Sequence, residues 1–205
     1  MKIQNRLFCI LLIILIVCLF LFLKLSEHNL NSTKSSLIAE RELSVTNTLL
    51  EDNNLYLEWL TNGAFVGDSI SLEDPYGNSL CFSDLPIGNG KILLYLEQTF
   101  CSDCYAAILE KLQKEYPLIV KKDLIIICSF MNFRELIIFF KVKGIDITPY
   151  NIIKGNLILP ASSSNTPFLA FIDKRGYISN CCIIQKPLLK RIDIFIKAYQ
   201  KIKGI

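Results

Sequence analysis

The chain has 205 residues, a formal net charge of +3 and 52% hydrophobic residues. This length fits one domain with a short additional segment. The small charge and the lack of any nucleic-acid-binding motif argue against a nucleic-acid partner. Its 8 cysteines lack the density and spacing of a small disulfide-stapled protein, so its core must be formed by apolar side chains.

The first predicted element is an apolar run from Leu7 to Leu23 that contains no charged residue. At roughly 1.5 Å per residue, a helix of this length spans about 25 Å, within the range of membrane-spanning helices. We therefore predict an uncleaved transmembrane anchor within residues 1–25. A cleaved signal peptide and a lipoprotein modified at Cys18 are the alternatives, although no small-residue cleavage site follows the run.

The orientation of this anchor follows from only a few charges. Lys2 and Arg6 precede the run, whereas Lys24 and Lys34 follow it, so the positive-inside bias is small. We place the short N-terminus in the cytoplasm and the remaining chain outside. In a bacterium, this means the inner membrane, with the domain on the periplasmic side.

Two further regions follow the anchor. Residues 26–62 are predicted to be a juxtamembrane segment, with scattered apolar positions that indicate a helix from Leu37 to Leu60. Residues 63–205 are predicted to form one α/β domain.

This domain opens with a predicted β-hairpin and continues with alternating strands and helices. The hairpin arms are Ser69–Leu72 and Leu80–Phe82, around the turn Asp74–Asn78. Further strands are expected at Lys91–Leu96, Leu124–Cys128, Phe168–Ile172 and Tyr177–Ile184, and helices at Tyr105–Tyr116, at Phe133–Phe140 and from Pro187 onward. The strand–helix–strand order favours a parallel pair, and a short turn favours antiparallel pairing of the last two strands. Residues 145–160 fit either a strand or irregular structure.

The sequence Cys101-Ser102-Asp103-Cys104 carries the chemistry, because it joins the end of a predicted strand to the start of a helix. A thiol at a helix N-terminus faces unpaired backbone N–H groups, which stabilise the thiolate, and the thiolate is the nucleophile in disulfide exchange. Cys104 lies about one turn further on the same side. We predict Cys101 as the nucleophile and Cys104 as the resolving thiol.

A structural or metal-binding cysteine pair is the alternative interpretation of this motif. Zinc would need two further ligands, and the single histidine, His28, lies beside the apolar run. We expect no metal, and no cofactor other than a redox-active disulfide between Cys101 and Cys104.

A second element, Thr166-Pro167, follows the polar loop Ala161–Asn165 and precedes a predicted strand. A proline in this place fits either a specified cis turn or an ordinary trans turn. The local pattern leaves both open.

These motifs resemble those of a known superfamily. Residues 92–104 resemble the strand and redox motif of the thioredoxin superfamily, and residues 166–173 resemble its cis-proline segment. Gly67-Asp68, Asp74–Asn78 and Leu80–Leu85 resemble the N-terminal hairpin of its membrane-anchored TlpA-like redoxin branch. The likeness covers roughly residues 65–203.

The resemblance implies a thioredoxin-like α/β fold, with a central mixed sheet flanked by helices and an N-terminal β-hairpin, after a single N-terminal transmembrane helix. It implies a cis Thr166–Pro167 bond that faces Cys101, and backbone near Thr166 that pairs with an extended partner segment. Phe100, Thr166 and Pro167 are then the expected substrate contacts. The implied activity is that of a thiol–disulfide oxidoreductase acting on protein thiols and disulfides, with a membrane thiol reductase as electron donor.

Several residues depart from the pattern of this superfamily. Phe100 stands where Trp is usual, and Tyr95 stands where thioredoxins carry a buried Asp proton acceptor. Glu97 and Asp103 are the candidate proton acceptors, with a solvated surface carboxylate as the alternative for each. The charge of Asp103 should disfavour a Cys101 thiolate, which indicates a reductant or a low-potential exchanger.

Two rival functions are the alternatives to disulfide exchange. A thiol peroxidase would place a Thr and an Arg around one cysteine; Thr99 is near, but no Arg is. A non-catalytic interaction module would not need both motif cysteines.

We expect structural roles for Cys81, Cys128, Cys181 and Cys182, and opposite orientations for the last two because they are neighbours in a strand.

Overall fold

The computed structural model describes residues 40–41, 43–66, 70–185 and 188–204, together with Phe20, Phe22 and Lys24. The chain divides into two compact units, Met1–Glu51 and Asp52–Ile205. Every described residue of the first unit is helical. Within the described ranges, no helix combines the length and the apolar character that a membrane crossing requires. The predicted anchor, Leu7 to Leu23, lies outside these ranges apart from Phe20 and Phe22, as do Gly67-Asp68 and Pro187.

The second unit contains the α/β domain and begins with the helical residues 52–61, named here α1. Its strands are β1 (Ser71–Glu73), β2 (Ser79–Cys81), β3 (Lys91–Glu97), β4 (Leu124–Ser129), β5 (Pro149–Lys154), β6 (Phe168–Ile172) and β7 (Ile178–Ile183). Its remaining helices are α2 (Ser102–Glu115), α3 (Pro117–Asp123), α4 (Phe133–Val142) and α5 (Lys190–Lys203). A 3-10 turn, Pro160–Ser164, precedes β6.

Most of the predicted elements are confirmed within two or three residues. Residues 145–160, which the sequence left undecided, contain strand β5. Pro117 ends α2, as expected, but it also occupies the first turn of the additional helix α3. Proline is tolerated there because the N–H that it lacks would have no intrahelical partner.

The strands form one sheet in the order β2-β1-β5-β4-β3-β6-β7. Strands β3, β4 and β5 are parallel, whereas β6, β7 and the β1–β2 hairpin pair antiparallel to their neighbours. The residues of β3 from Ile92 to Leu96 are 0–4% exposed. Successive side chains of a strand point to opposite faces, so both faces of the sheet are covered at its centre. The predicted α/β fold, with a central mixed sheet and an N-terminal hairpin, is confirmed.

The outer edge of β7 is capped by side chains from two helices. Glu58 of α1 accepts the backbone N–H of Ile183 at 2.6 Å, and Arg191 of α5 donates to the Ile183 carbonyl at 2.9 Å. Glu58 and Arg191 also form an ion pair at 2.7 Å, in which the Glu58 side chain is 9% exposed. These bonds satisfy backbone groups that would otherwise be open to strand addition. They also join α1 to β7 and α5 within this unit.

Strand β7 contains the two neighbouring cysteines, and its alternation is interrupted. Its register against β6 shifts between Leu169 and Phe171, and Asn180 has a φ of 49°. Cys181 and Cys182 both line one cavity of about 340 Å³, together with Glu58 and Arg191. The opposite orientation of their side chains stays a prediction.

The cap on β7 predicts that Glu58→Ala is destabilising. The substitution leaves the Ile183 N–H without its acceptor and removes one partner of the Arg191 guanidinium, which keeps the Ile183 carbonyl. The free energy of unfolding should therefore fall by on the order of 2 kcal/mol. Urea unfolding of the full chain, followed by circular dichroism, measures this loss.

The matched control is Glu110→Ala, which removes an exposed ion pair with Lys143 at 3.4 Å. Such exposed pairs contribute at most about 1 kcal/mol. Equal losses in the two variants would contradict a structural role for the cap on β7.

Candidate active site

Cys101 lies at the junction between the central strand β3 and helix α2. After β3 ends, the Phe100 N–H donates to the Glu97 carbonyl at 2.9 Å and closes a tight turn. The Cys101 carbonyl then accepts the N–H of Cys104 at 3.0 Å and begins the helix. Cys101 is exposed and Cys104 is half-buried, the arrangement that a nucleophile and a resolving thiol require.

The direction of α2 is fixed by its apolar side. Its buried residues recur at three- and four-residue spacing, and they are Tyr105, Ile108, Leu109 and Leu112. This stripe packs into the core, so the first turn of α2 presents its N-terminus, with Cys101, at the surface.

The pKa of the Cys101 thiol lies below its ordinary value. The largest cause is a hydrogen bond from the Cys104 side chain, followed by the backbone N–H of Cys104; the backbone N–H of Asp103 contributes further. Desolvation and the negative charge of Asp103 oppose this shift. The sequence analysis predicted both the helix N–H groups and the opposing charge of Asp103. It did not predict that the second thiol would be the largest contributor.

Tyr105 is a further residue of the site, and the sequence did not identify it as one. Its ring is buried and lies edge-on to Phe139, with centroids 5.3 Å apart. Its pKa is raised by burial and, to a smaller extent, by the charge of Cys101. A neutral phenol therefore stands close to the thiolate. The helical stripe in the sequence placed Tyr105 in the core, and its position one helical turn after Cys101 is the signal that could have shown this proximity.

Phe100 was expected to contact substrate, but the structure buries it. Its side chain is 4% exposed, and its ring lies edge-on to Tyr95, with centroids 6.1 Å apart. Tyr95 in turn packs against Phe168, with centroids 5.2 Å apart. The ring of Phe100 thus supports the turn before Cys101 from within the core, a placement that does not fit a substrate contact.

Thr166 and Pro167 lie at the same end of the strands as the cysteine motif, because Tyr95 of β3 lies opposite Phe168 of the antiparallel β6. The Thr166–Pro167 bond is trans, so the expected cis bond is wrong. For a residue before proline, the trans form is favoured by about 0.5–1 kcal/mol. Asn165, with a φ of 54°, supplies the change of direction just before Thr166.

The polar groups of this segment have partners nearby. The Pro167 carbonyl accepts the Ile184 N–H at 2.9 Å, and the Thr166 hydroxyl lies 3.0 Å from the Ser164 hydroxyl. The pairing of Thr166 with a partner segment stays a prediction.

The two candidate proton acceptors occupy different surroundings. Asp103 is exposed on the first turn of α2. Glu97 is half-buried and lines a cavity of about 700 Å³ at the ends of β3 and β4. Tyr95 lines the same cavity, and its pKa is raised to about 12 by burial, with a contribution from the charge of Glu97.

The buried cysteines contrast with Cys101. Burial raises the pKa of the Cys128 thiol, of the Cys181 thiol and, to about 12, of the Cys182 thiol. A raised pKa and lack of exposure make a thiol unreactive, as expected for structural cysteines. Cys81 differs, because it is exposed.

No protein-family model matches the chain, and the curated proteins contain no match to it. Solved structures with a similar fold include a thiol:disulfide interchange protein from Bacteroides sp., with 16% identity and a TM-score of 0.45, covering 67% of this chain and 91% of that one. A thioredoxin-like protein from Porphyromonas gingivalis has 17% identity and a TM-score of 0.45, covering 67% and 94% of the two chains. The thioredoxin domain of a thiol-disulfide oxidoreductase from Bacteroides vulgatus has 17% identity and a TM-score of 0.43, covering 64% and 97%. At these scores, the likeness carries no argument about activity.

The geometry of the motif predicts that Cys104→Ala raises the pKa of the Cys101 thiol. The substitution removes the hydrogen bond that stabilises the thiolate most. The measurement is the rate of Cys101 alkylation by iodoacetamide as a function of pH, in a Cys81→Ser background that removes the other exposed thiol of the described residues.

Cys104→Ser is the matched control, since its hydroxyl can still donate a hydrogen bond. It should give a pKa between those of the parent and the alanine variant. An alanine variant that titrates like the parent would show that the second thiol does not stabilise the first.

Proposed function

We propose that this protein is a thiol–disulfide oxidoreductase that exchanges a dithiol for a disulfide with protein partners. The observation that carries the proposal is the exposed Cys101 thiol at the start of α2, with a lowered pKa and Cys104 as its hydrogen-bond partner. A lowered pKa increases the fraction of the thiol that is deprotonated at a given pH, and the thiolate is the reactive form.

The exchange takes place in two balanced steps. The Cys101 thiolate attacks one sulfur of a partner disulfide, forming a mixed disulfide, and the other partner sulfur leaves and takes up a proton. Cys104 then loses its proton and attacks the Cys101 sulfur, releasing the second partner thiolate. The partner has gained two electrons, and Cys101 and Cys104 have become a disulfide that an external dithiol must reduce.

The structure favours a short path for the second step. Cys104 is already hydrogen-bonded to Cys101, and their backbones are joined within one helical turn. In the second step, Cys104 loses its proton and with it the hydrogen bond to Cys101. Cys101 does not need this bond then, because its sulfur is part of the mixed disulfide and carries no charge. The same contact therefore serves first to activate the nucleophile and then to position the resolving thiol.

The proposal predicts that the full chain, held in detergent, reduces insulin disulfides when dithiothreitol is supplied, and that Cys101→Ser abolishes this activity. Cys104→Ser should form a mixed disulfide with the substrate that is no longer resolved. Turbidity of the released insulin chain measures reduction, and non-reducing electrophoresis detects the mixed species.

Cys128→Ser is the control, since it removes a buried thiol that the reaction does not use. Loss of activity in this control alone would contradict the assignment of Cys101. Consumption of peroxide without insulin reduction would favour the thiol peroxidase, and neither activity would favour a non-catalytic interaction module.

We further propose that the protein acts as a reductant. Asp103 opposes the thiolate of Cys101 through its charge, and a less stabilised thiolate gives a less oxidising couple. Asp103→Asn should lower the pKa of Cys101 further while keeping the backbone N–H that stabilises it. The redox potential of this variant should therefore be more oxidising than that of the parent.

Equilibration of both proteins with glutathione buffers measures the two potentials. A redox potential of about −120 mV for the parent protein, that of a strong disulfide donor, would contradict the role of a reductant.

The proposed setting is the membrane surface. The uncharged run from Leu7 to Leu23 supports a single-pass anchor in the bacterial inner membrane, with the domain on the periplasmic side and a membrane thiol reductase as electron donor. Retention of the full chain in membranes after carbonate washing supports this anchor, and release by the wash contradicts it.

A further inference from the structure

A cavity of about 700 Å³ opens where β3 and β4 end, and Glu97, which lines it, lies four residues before Cys101 in the chain. Glu97 of β3 and Ser129 of β4 lie opposite each other in the parallel register, and both line this cavity. The turn from Glu97 to Phe100 joins the cavity to Cys101. Ligands of α/β sheets bind outside the carboxyl ends of parallel strands, so this cavity lies where a partner of Cys101 would rest.

The lining of the cavity combines an apolar wall with a single charge. Leu157 and Ile158, from the segment between β5 and the 3-10 turn, supply apolar surface, and Ile158 is 86% exposed. Among the described residues, Glu97 is the one charged residue that lines the cavity; the other polar residues there carry hydroxyl or amide groups. None of the described salt bridges involves Glu97.

We propose that this cavity, named here the flanking pocket, receives a lysine or arginine side chain that lies beside the target disulfide of the partner. This inference rests on the proposed function and adds a substrate preference to it. The stem of a lysine or arginine is apolar and its end is cationic. The stem can pack on the wall of Leu157 and Ile158 while the cation reaches the carboxylate of Glu97.

Charge also defines which partners the site disfavours. An acidic residue beside the disulfide would face two carboxylates, Glu97 in the flanking pocket and the exposed Asp103 on α2. Repulsion of this kind gives specificity even where the attraction is modest. The preferred partner is therefore a polypeptide whose disulfide lies in a basic segment.

The test uses three disulfide-bonded peptides that are identical except for one residue beside the cysteine, which is Lys, Gln or Glu. The pre-reduced full chain in detergent is mixed with each peptide, and the single-turnover rate of reduction is recorded. We expect the Lys peptide to react about fivefold faster than the Gln peptide, the size of effect that a partly exposed ion pair produces. The Glu peptide should be the slowest, and the differences should shrink at high salt.

Glu97→Gln should bring the three rates together. Asp146→Asn is the matched control, because it also removes one exposed negative charge but lies before the start of β5, away from the ends of β3 and β4. This control should keep the ranking of the peptides.

The outcomes separate the pocket from the activity. Equal rates for the three peptides with the unaltered chain overturn the flanking pocket and leave disulfide exchange standing. A Glu97→Gln variant that slows all peptides alike and shifts the pH profile also overturns the pocket, because it shows Glu97 acting in proton transfer. No reduction of any peptide overturns the proposed function and, with it, the pocket. The comparison of peptides on the unaltered chain does not depend on the folding of any variant.

Discussion

The hydrogen bond between the Cys104 thiol and the Cys101 sulfur is the interaction on which this account depends. It is the largest cause of the lowered pKa of Cys101, and it requires both residues to lie within the first turn of α2. The core fixes that turn, because β3 is buried on both faces just before it and the apolar stripe of α2 is buried just after it. The reactivity of the exposed sulfur is thus a consequence of how the helix is held, rather than of a nearby base.

The edges of the sheet show how the same fold limits unwanted contacts. At the β7 edge, Glu58 and Arg191 satisfy the backbone of Ile183 and occupy the place of a further strand. At the end of β3, by contrast, polar and apolar groups line the flanking pocket. A partner chain is therefore offered a polar and accessible region at this end of the sheet, while the backbone at Ile183 is closed.

The sequence predicted the strands and helices well, since their apolar periodicity reflects burial that is decided locally. It also placed Cys101 at a helix start, because a short strand and an amphipathic helix flank the motif. It did not predict the contact of Glu58 with Arg191, which joins α1 to α5 across more than a hundred residues. The burial of Phe100 depends on how the turn after β3 folds its ring onto Tyr95, which is only five residues away. The resemblance to a superfamily implied a cis bond before Pro167, which is wrong, and a substrate contact for Phe100, which the burial of its ring does not fit.

The most direct measurement is a competition among the cysteines of the reduced full chain at about pH 6, with limiting iodoacetamide and mapping of the modified residues by mass spectrometry. At this pH, a thiol reacts in proportion to the small fraction that is deprotonated. The account predicts that Cys101 is modified first, well ahead of the exposed Cys81, while Cys128, Cys181 and Cys182 stay unmodified. Modification of Cys101 no faster than that of Cys81 would contradict the claim that the start of α2 activates its sulfur.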